Sequence, residues 1–358
     1  MRSKDKPTLE EWKELYELAI KFKEAAPWEW MYDTDVFGVL NPETEDIGYC
    51  TVMGNNKEFY GMAIYQGPEG FAILDKIARG DFRQEDAKYM QKCLMLSFDK
   101  RNYIEKEEME IIKQIGVRFD NRNFWPQFRD YSPGYYPWHI DRKQAAYFMI
   151  IIEQALEIFS KVKDNKDKYM AGVPYRILAR IPKKNGTKIV WTDEYIVPKI
   201  MEKKITIPAL SEKHEIISRK IKKEIDIDPE MTWEADDFFS PDPVKDDDED
   251  IRPFFPRLLF FVEQRSGAVM SIGLSESAID IITTKFRQSF LDGILKHGAF
   301  PKKLNIRNEK LAEILRPIAK ILDITIVITD KMAMFDEAKN FYNQDFEFRK
   351  TMKKILNR

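Results

Sequence analysis

The last third of the chain alternates short apolar runs with amphipathic segments, and this order strongly limits the folds that it can adopt. Residues 231–239 have the composition of a strand, and residues 257–263 and 268–272 flank a turn that ends at Gly267, as the two arms of a hairpin do. Helical and strand-like segments then alternate as far as residue 342. Because a strand–helix–strand connection within one sheet is right-handed, this region predicts an α/β domain with a mixed sheet and helices on both faces.

The predicted order of elements in residues 230–358 is strand, hairpin, helix, strand, helix, strand, helix. This layout resembles the ribonuclease H-like fold of integrases and transposases, in which three carboxylates hold two divalent metal ions. The resemblance implies that Asp236, on the opening strand, and Glu337, on the last helix, fill two of the three carboxylate positions. Arg307 stands at the remaining position. Since a permanent cation repels metal ions, we expect a degenerate scaffold without nuclease activity.

Two classes of function remain open for this chain. The first is a non-enzymatic binding or regulatory protein without a cofactor or catalytic residue, in which Asp236 and Glu337 are ordinary solvated acids. The second is a divergent, metal-dependent nucleic-acid-processing enzyme that binds Mg²⁺ or Mn²⁺ and uses Glu309 in place of the missing carboxylate. Two-metal catalysis needs paired anionic oxygens at the strand tip. The residue at position 307 therefore distinguishes the two classes, because arginine there favours the binding protein and a carboxylate would favour the enzyme.

Residues 1–165 are predicted to form an α+β domain around an antiparallel sheet. Thr8 and Glu11 have the spacing of a capping box and start the first helix. Short strand-like segments between residues 36 and 65 form a meander. Asp141 is placed to cap a long helix over residues 142–162.

Three segments of this first half resemble an uncharacterised bacterial family of unknown function. They are residues 27–35, which begin Pro-Trp, and the strand-like residues 49–54 and 60–65. In that family the domain is followed by one like residues 230–358. The resemblance implies this domain order and a bacterial, cytosolic origin, and it brings no activity, cofactor or catalytic residue with it.

Residues 166–229 are predicted to connect the two domains. They contain a hairpin with its turn at Asn185 and Gly186, a strand within residues 199–208 and a basic helix capped by Ser211. Clustered lysines and arginines on a helix are typical of an exposed, solvated face, and a nucleic-acid surface is the alternative.

Aromatic side chains of the first domain are candidates for a ligand-binding groove, and a core role is the alternative. Histidine beside them can act as a base or anchor a ligand, or can pack at the helix start. If a groove exists, Trp30 and Trp138 must lie close together and be partly exposed. The candidate residues are Trp28, Trp30, Tyr136, Trp138 and His139.

Charge and cysteine content limit the partners and the compartment. The chain has 58 basic and 60 acidic side chains and a formal charge of -2, so no overall field attracts nucleic acid or a membrane. The longest apolar run, near residues 148–152, is too short to span a bilayer. Cys50 and Cys93 lie in apolar segments and are expected to be buried free thiols. We expect a cytoplasmic protein whose partner is a protein, a peptide or a small ligand.

Overall fold

The protein divides into two compact units, Met1–Lys203 and Lys204–Arg358, and each has its own sheet and core. The computed structural model describes residues 5–119, 124–170, 176–186, 188–201, 206–246, 250–276 and 279–356.

The first unit combines helices with an eight-stranded sheet. Its helices and strands, in chain order, are α1 (Leu9–Ala25), β1 (Phe37–Leu40), β2 (Ile47–Met53), β3 (Tyr60–Gln66), α2 (Gly67–Arg79), β4 (Cys93–Asp99), α3 (Lys106–Ile115), β5 (Trp125–Tyr131), β6 (Trp138–His139), α4 (Arg142–Val162), α5 (Lys166–Met170), β7 (Ile177–Asn185) and β8 (Lys188–Ile196).

The strands of the first sheet lie in the order β6-β5-β4-β3-β2-β1-β7-β8. Strands β1 to β6 form an antiparallel meander, but β7 pairs with β1 in parallel, with Gly38 opposite Ala179. The α+β prediction is therefore confirmed, whereas the sheet is mixed and not antiparallel throughout. The hairpin that we assigned to the connecting segment is β7–β8, and it belongs to this sheet.

Helices α1 and α4 pack together over one face of the first sheet and form its main core. Helix α1 begins with the predicted capping box at Thr8, and α4 begins at the predicted cap Asp141, which forms a capping box with Gln144. Side chains such as Phe22 and Phe148 are fully buried there, and burial of a residue of this size stabilises the fold by about 1.5–3 kcal/mol. The apolar run at 148–152 lies within α4, and in the described part of the chain no helix is both long and apolar enough to cross a membrane.

The second unit contains a five-stranded sheet. Its helices and strands, in chain order, are α6 (Glu212–Glu224), β9 (Asp226–Phe239), β10 (Arg257–Glu263), β11 (Val269–Ser275), α7 (Ile279–His297), β12 (Ala299–Ile306), α8 (Glu309–Leu322), β13 (Thr325–Ile328) and α9 (Ala333–Leu356).

Strand β9 is the centre of the second sheet, whose order is β11-β10-β9-β12-β13. The hairpin β10–β11 is antiparallel to it, and β12 and β13 are parallel to it. This arrangement confirms the predicted mixed sheet. The strand expected within 199–208 is not formed at 199–201 or 206–208, and its remaining residues lie outside the described ranges.

The end of α1 has a backbone conformation that suits glycine. Ala26 caps the helix with φ 42° and ψ 54°, in the left-handed region, and its N–H donates to the carbonyl of Lys23 at 3.1 Å. An L-residue in this region costs about 1–2 kcal/mol relative to glycine. We predict that Ala26→Gly raises the free energy of unfolding by about 1 kcal/mol, because the strain removed exceeds the added chain entropy of the unfolded state.

Ala25 provides the matched control, because it is the last residue of α1 and is partly buried against the same core. Ala25→Gly should lower the free energy of unfolding by about 1 kcal/mol, since glycine is a poor helix former. Chemical denaturation of the two variants measures both effects. Destabilisation by both changes to the same extent would show that the left-handed cap is not strained.

Candidate functional site

Acidic residues gather where β9 leaves the sheet beside the end of β12. Parallel pairing sets Glu234 opposite Asn305 and Ala235 opposite Ile306, so that Asp236 and Arg307 follow as neighbours on the two strands. Side chains alternate between the faces of a strand, and Glu234 and Asp236 therefore share the face that packs against α9. Glu234 and Asp236 are 1% and 0% exposed, so each charge must be compensated within the protein.

Arg307 supplies a cation to this cluster. One guanidinium nitrogen, Nη1, lies 3.5 Å from the Asp236 carboxylate and 3.1 Å from Asp336, and Nη2 lies 3.0 Å from the second oxygen of Asp336. Nη2 also donates to the carbonyl of Asp330 at 3.1 Å. The planar guanidinium thus connects the end of β9 to the start of α9, which is a geometry that a lysine ammonium cannot reproduce.

The acid on the last helix that contacts Arg307 is Asp336. Glu337 follows it and is exposed, because successive helical residues differ by about 100° in direction. The structure therefore brings Asp236 and Arg307 together, and it places Asp336 where we expected Glu337. The role of these residues stays a prediction, because side-chain proximity alone does not show a function.

Glu234 has a structural task that the sequence pattern did not reveal. Its Oε2 accepts the backbone N–H of Phe335 at 2.9 Å, in the first turn of α9. Met332, just before the helix, has no side-chain oxygen, so Glu234 supplies the acceptor that a capping residue normally provides. We missed the sequence signal for this contact. It consists of an acid two positions before Asp236 and a helix that lacks a capping side chain of its own.

A second polar group lies on the other side of the same strand end. Asp237 accepts from the Nε of Arg257 and from the Nδ2 of Asn308, the latter at 3.1 Å. Asn308 also caps α8 through a 3.0 Å bond from the N–H of Lys310. Burial and then the charge of Arg257 lower the pKa of Lys310, and Asp237 opposes this shift. The sequence pattern did not reveal the link between Asn308 and Asp237.

These residues do not fit the two-metal centre of ribonuclease H-like enzymes. Such a centre needs carboxylate oxygens that face a common metal position. Here the guanidinium of Arg307 occupies the space between Asp236 and Asp336, and Asp336 has both oxygens within 3.1 Å of it. Among the residues that the structure describes, no three His, Cys, Asp or Glu side chains are grouped to hold a metal ion.

Two of the candidate groove residues of the first unit belong to the core or its margin. Trp28 is 8% exposed and packs against Tyr60, Phe98 and Phe124. Trp30 is half-buried against Phe159 of α4, with ring centroids 5.8 Å apart. Both side chains thus stabilise the fold between α4 and the sheet.

The other three candidates lie at the opposite end of β5. Trp138 is half-buried on the edge strand β6, opposite Asp130, and its ring lies tilted beside that of His139, with centroids 5.3 Å apart. Tyr136 is 37% exposed. Trp28 contacts Phe124, which precedes β5, so roughly 20 Å of strand separates the two groups. The structure does not bring the five residues into one groove.

His139 takes part in a charged cluster at this edge. Its Nε2 lies 3.5 Å from a carboxylate oxygen of Glu105. On the neighbouring strand, the buried Arg129 is bonded to the buried Glu108, with Nη2 and Oε2 2.9 Å apart. Buried ion pairs of this kind hold elements in place, and here the pair fixes α3 to β5.

We predict that Arg307→Ala lowers the free energy of unfolding by about 3 kcal/mol, because it removes a guanidinium from the fully buried Asp236 carboxylate. The control is Asp336→Ala, which removes the other partner. The Asp336 side chain is 50% exposed, so its loss should cost about 1 kcal/mol or less. Urea denaturation of the two variants gives the comparison, and equal small losses would mean that Arg307 does not stabilise Asp236.

Each unit contains a segment that matches one known domain family. A model of the domain of unknown function DUF7309 matches residues 12–180, and a model of the domain of unknown function DUF6930 matches residues 217–343. No curated protein matches the chain. The matches confirm the predicted combination of two domains of unknown function. The chain is thus similar to a DUF7309 domain in its first unit and to a DUF6930 domain in its second.

Proposed function

We propose that the DUF6930 domain is a ribonuclease H-like scaffold that has lost its metal centre, and that the protein is a non-enzymatic binding or regulatory protein. One observation carries this proposal. The guanidinium of Arg307 lies between the carboxylates of Asp236 and Asp336, within 3.5 Å of both. A fixed cation there neutralises the acids that a nuclease would offer to metal ions.

The topology of the second sheet supports the scaffold part of the proposal. A central first strand has an antiparallel hairpin on one side and two parallel strands on the other. The acids stand at the carboxyl end of that first strand, and a further acid stands at the start of the last helix. The layout from which we drew the resemblance has the same order of elements.

The state of the cysteines supports a cytoplasmic location. Cys50 and Cys93 are buried free thiols. Burial raises the pKa of both thiols, so that they remain protonated and unreactive. Free thiols suit a reducing compartment. A bacterial origin is implied by the resemblance of the first domain, and the proposed partner is a protein, a peptide or a small ligand.

A divergent metal-dependent nucleic-acid enzyme is the second candidate. The observation that favours it is the density of buried acids at the end of β9, where Glu234, Asp236 and Asp237 are all at most 4% exposed. Glu309, the acid that we considered as a replacement, is exposed at the start of α8. Such an enzyme requires Arg307 to leave Asp236 before a metal ion binds.

Metal titration separates the two candidates. We predict that wild-type protein shows no Mg²⁺- or Mn²⁺-dependent cleavage of DNA or RNA, because Arg307 opposes metal binding at Asp236. Arg307→Asp should raise the affinity for Mn²⁺, measured by calorimetry, because it replaces the cation by a carboxylate beside two others. Arg307→Asn is the control, because it removes the cation without adding an anion.

The proposal has two clear points of failure. Metal-dependent cleavage by wild-type protein that disappears in Asp236→Ala would establish the enzyme. If Arg307→Asp binds no more Mn²⁺ than Arg307→Asn, the acids do not share a metal position, and the likeness to ribonuclease H-like enzymes is one of layout alone. A melting curve of each variant verifies that it is folded.

A further inference from the structure

A basic cleft lies between α6 and α8 in the second unit, away from the residues discussed above. Its volume is about 390 Å³. The lining consists of four cationic side chains and a single apolar one. These residues are Arg219, Lys222, Lys223, Lys320 and Ile321.

The two helices bring their carboxyl ends together at this cleft. Lys222 in the last turn of α6 pairs with Asp323, the residue that caps α8, at 2.6 Å. Arg219 pairs with Glu215 of its own helix at 2.7 Å. Cations near helix carboxyl ends are favoured by the helix dipole, which accounts for part of the cluster.

Lys223 and Lys320 are not accounted for by ion pairs. Neither makes a salt bridge or a side-chain hydrogen bond within the ranges that the structure describes. They approach one cleft from different helices, and no acidic side chain lines it. Both lysines are exposed at the cleft, so an anion bound there would meet two ammonium groups that are not already paired with an acid.

We propose that this cleft binds a short oligophosphate. Lysine and arginine are the side chains that bind phosphate most strongly, through charge-assisted hydrogen bonds. Lys223 and Lys320 would contact the phosphate oxygens, whereas the charges of Arg219 and Lys222 are partly offset by Glu215 and Asp323. No aromatic residue lines the cleft to stack a base. The ligand is therefore recognised by its phosphates.

The same phosphate chemistry occurs in a free oligophosphate and in the backbone of a nucleic acid. The size of the cleft and the overall charge of -2 favour the free ligand, because nucleic-acid binding usually relies on an extended positive surface. This site is separate from Arg307, and its existence does not depend on whether the second domain is an enzyme.

Calorimetric titration of the full chain with inorganic triphosphate, in buffer without divalent metal ions, tests the proposal. The double variant Lys223→Gln, Lys320→Gln should bind about tenfold more weakly than wild type, because it loses two charge-assisted contacts. The control is Lys213→Gln, Lys331→Gln, which removes two exposed lysines that do not line the cleft. Its affinity should stay within about twofold of wild type, since distant exposed charges are screened by salt.

Three results would overturn the proposal. The first is the absence of triphosphate binding by wild-type protein at millimolar concentration. The second is an equal loss of affinity in both double variants, which would indicate binding to general surface charge. The third is tighter binding of a single-stranded oligonucleotide than of triphosphate, with a steep dependence on salt, which would make this surface a nucleic-acid site. Thermal unfolding of both variants checks that they are folded, and Arg307→Asp should bind triphosphate like wild type.

Discussion

The second domain depends on how the charges of three buried carboxylates are compensated. These carboxylates lie at the carboxyl end of β9, the central strand, which pairs in parallel with β12. Glu234 accepts a backbone N–H of α9, Asp236 faces Arg307, and Asp237 accepts from Arg257 and Asn308. Each acid thereby fixes a different element: the last helix, the end of β12, and β10 together with the start of α8. An unpaired buried charge costs several kcal/mol, so these positions are coupled, and a change in one element disturbs the others.

Acidic residues lie near the amino end of α8 and basic residues near its carboxyl end, which is the arrangement that the helix dipole favours. The buried acids stand near its amino end, and the basic cleft lies at its carboxyl end, about 20 Å away for a helix of 14 residues. Each end has more charged residues than interaction with the helix dipole explains. The acids are neutralised within the domain by arginine and backbone donors, whereas Lys223 and Lys320 have no such partner in the described ranges. Because of this difference, we propose a structural role for the acids at the amino end of α8 and a ligand-binding role for the cations at its carboxyl end.

Local sequence signals predicted the elements well, and distant pairings poorly. The cap at Asp141 predicted where α4 begins, and the predicted range agrees with Arg142–Val162, because helix ends depend on neighbouring residues. The mixed second sheet followed from the order of its elements. The parallel pairing of β7 with β1 was missed, since nothing in a short apolar strand specifies a partner about 140 residues away. Asp236 and Arg307 were chosen from the resemblance to the ribonuclease H-like layout, but the choice between Asp336 and Glu337 depends on the rotation of α9. The aromatic groove was predicted from composition, which contains no information on position along β5.

Strand β7 follows its partner β1 by about 140 residues, and this separation affects how the first domain folds. Strands β2 to β6 pair with near neighbours and can form as the chain emerges from the ribosome, but one edge of β1 stays open until β7 has been synthesised. Contacts of such long sequence separation slow folding, and an open strand edge is a site for association with other chains. The DUF7309 match ends at residue 180, inside β7 and before β8. The compact unit therefore extends beyond the matched residues, and its sheet is completed by the β7–β8 hairpin.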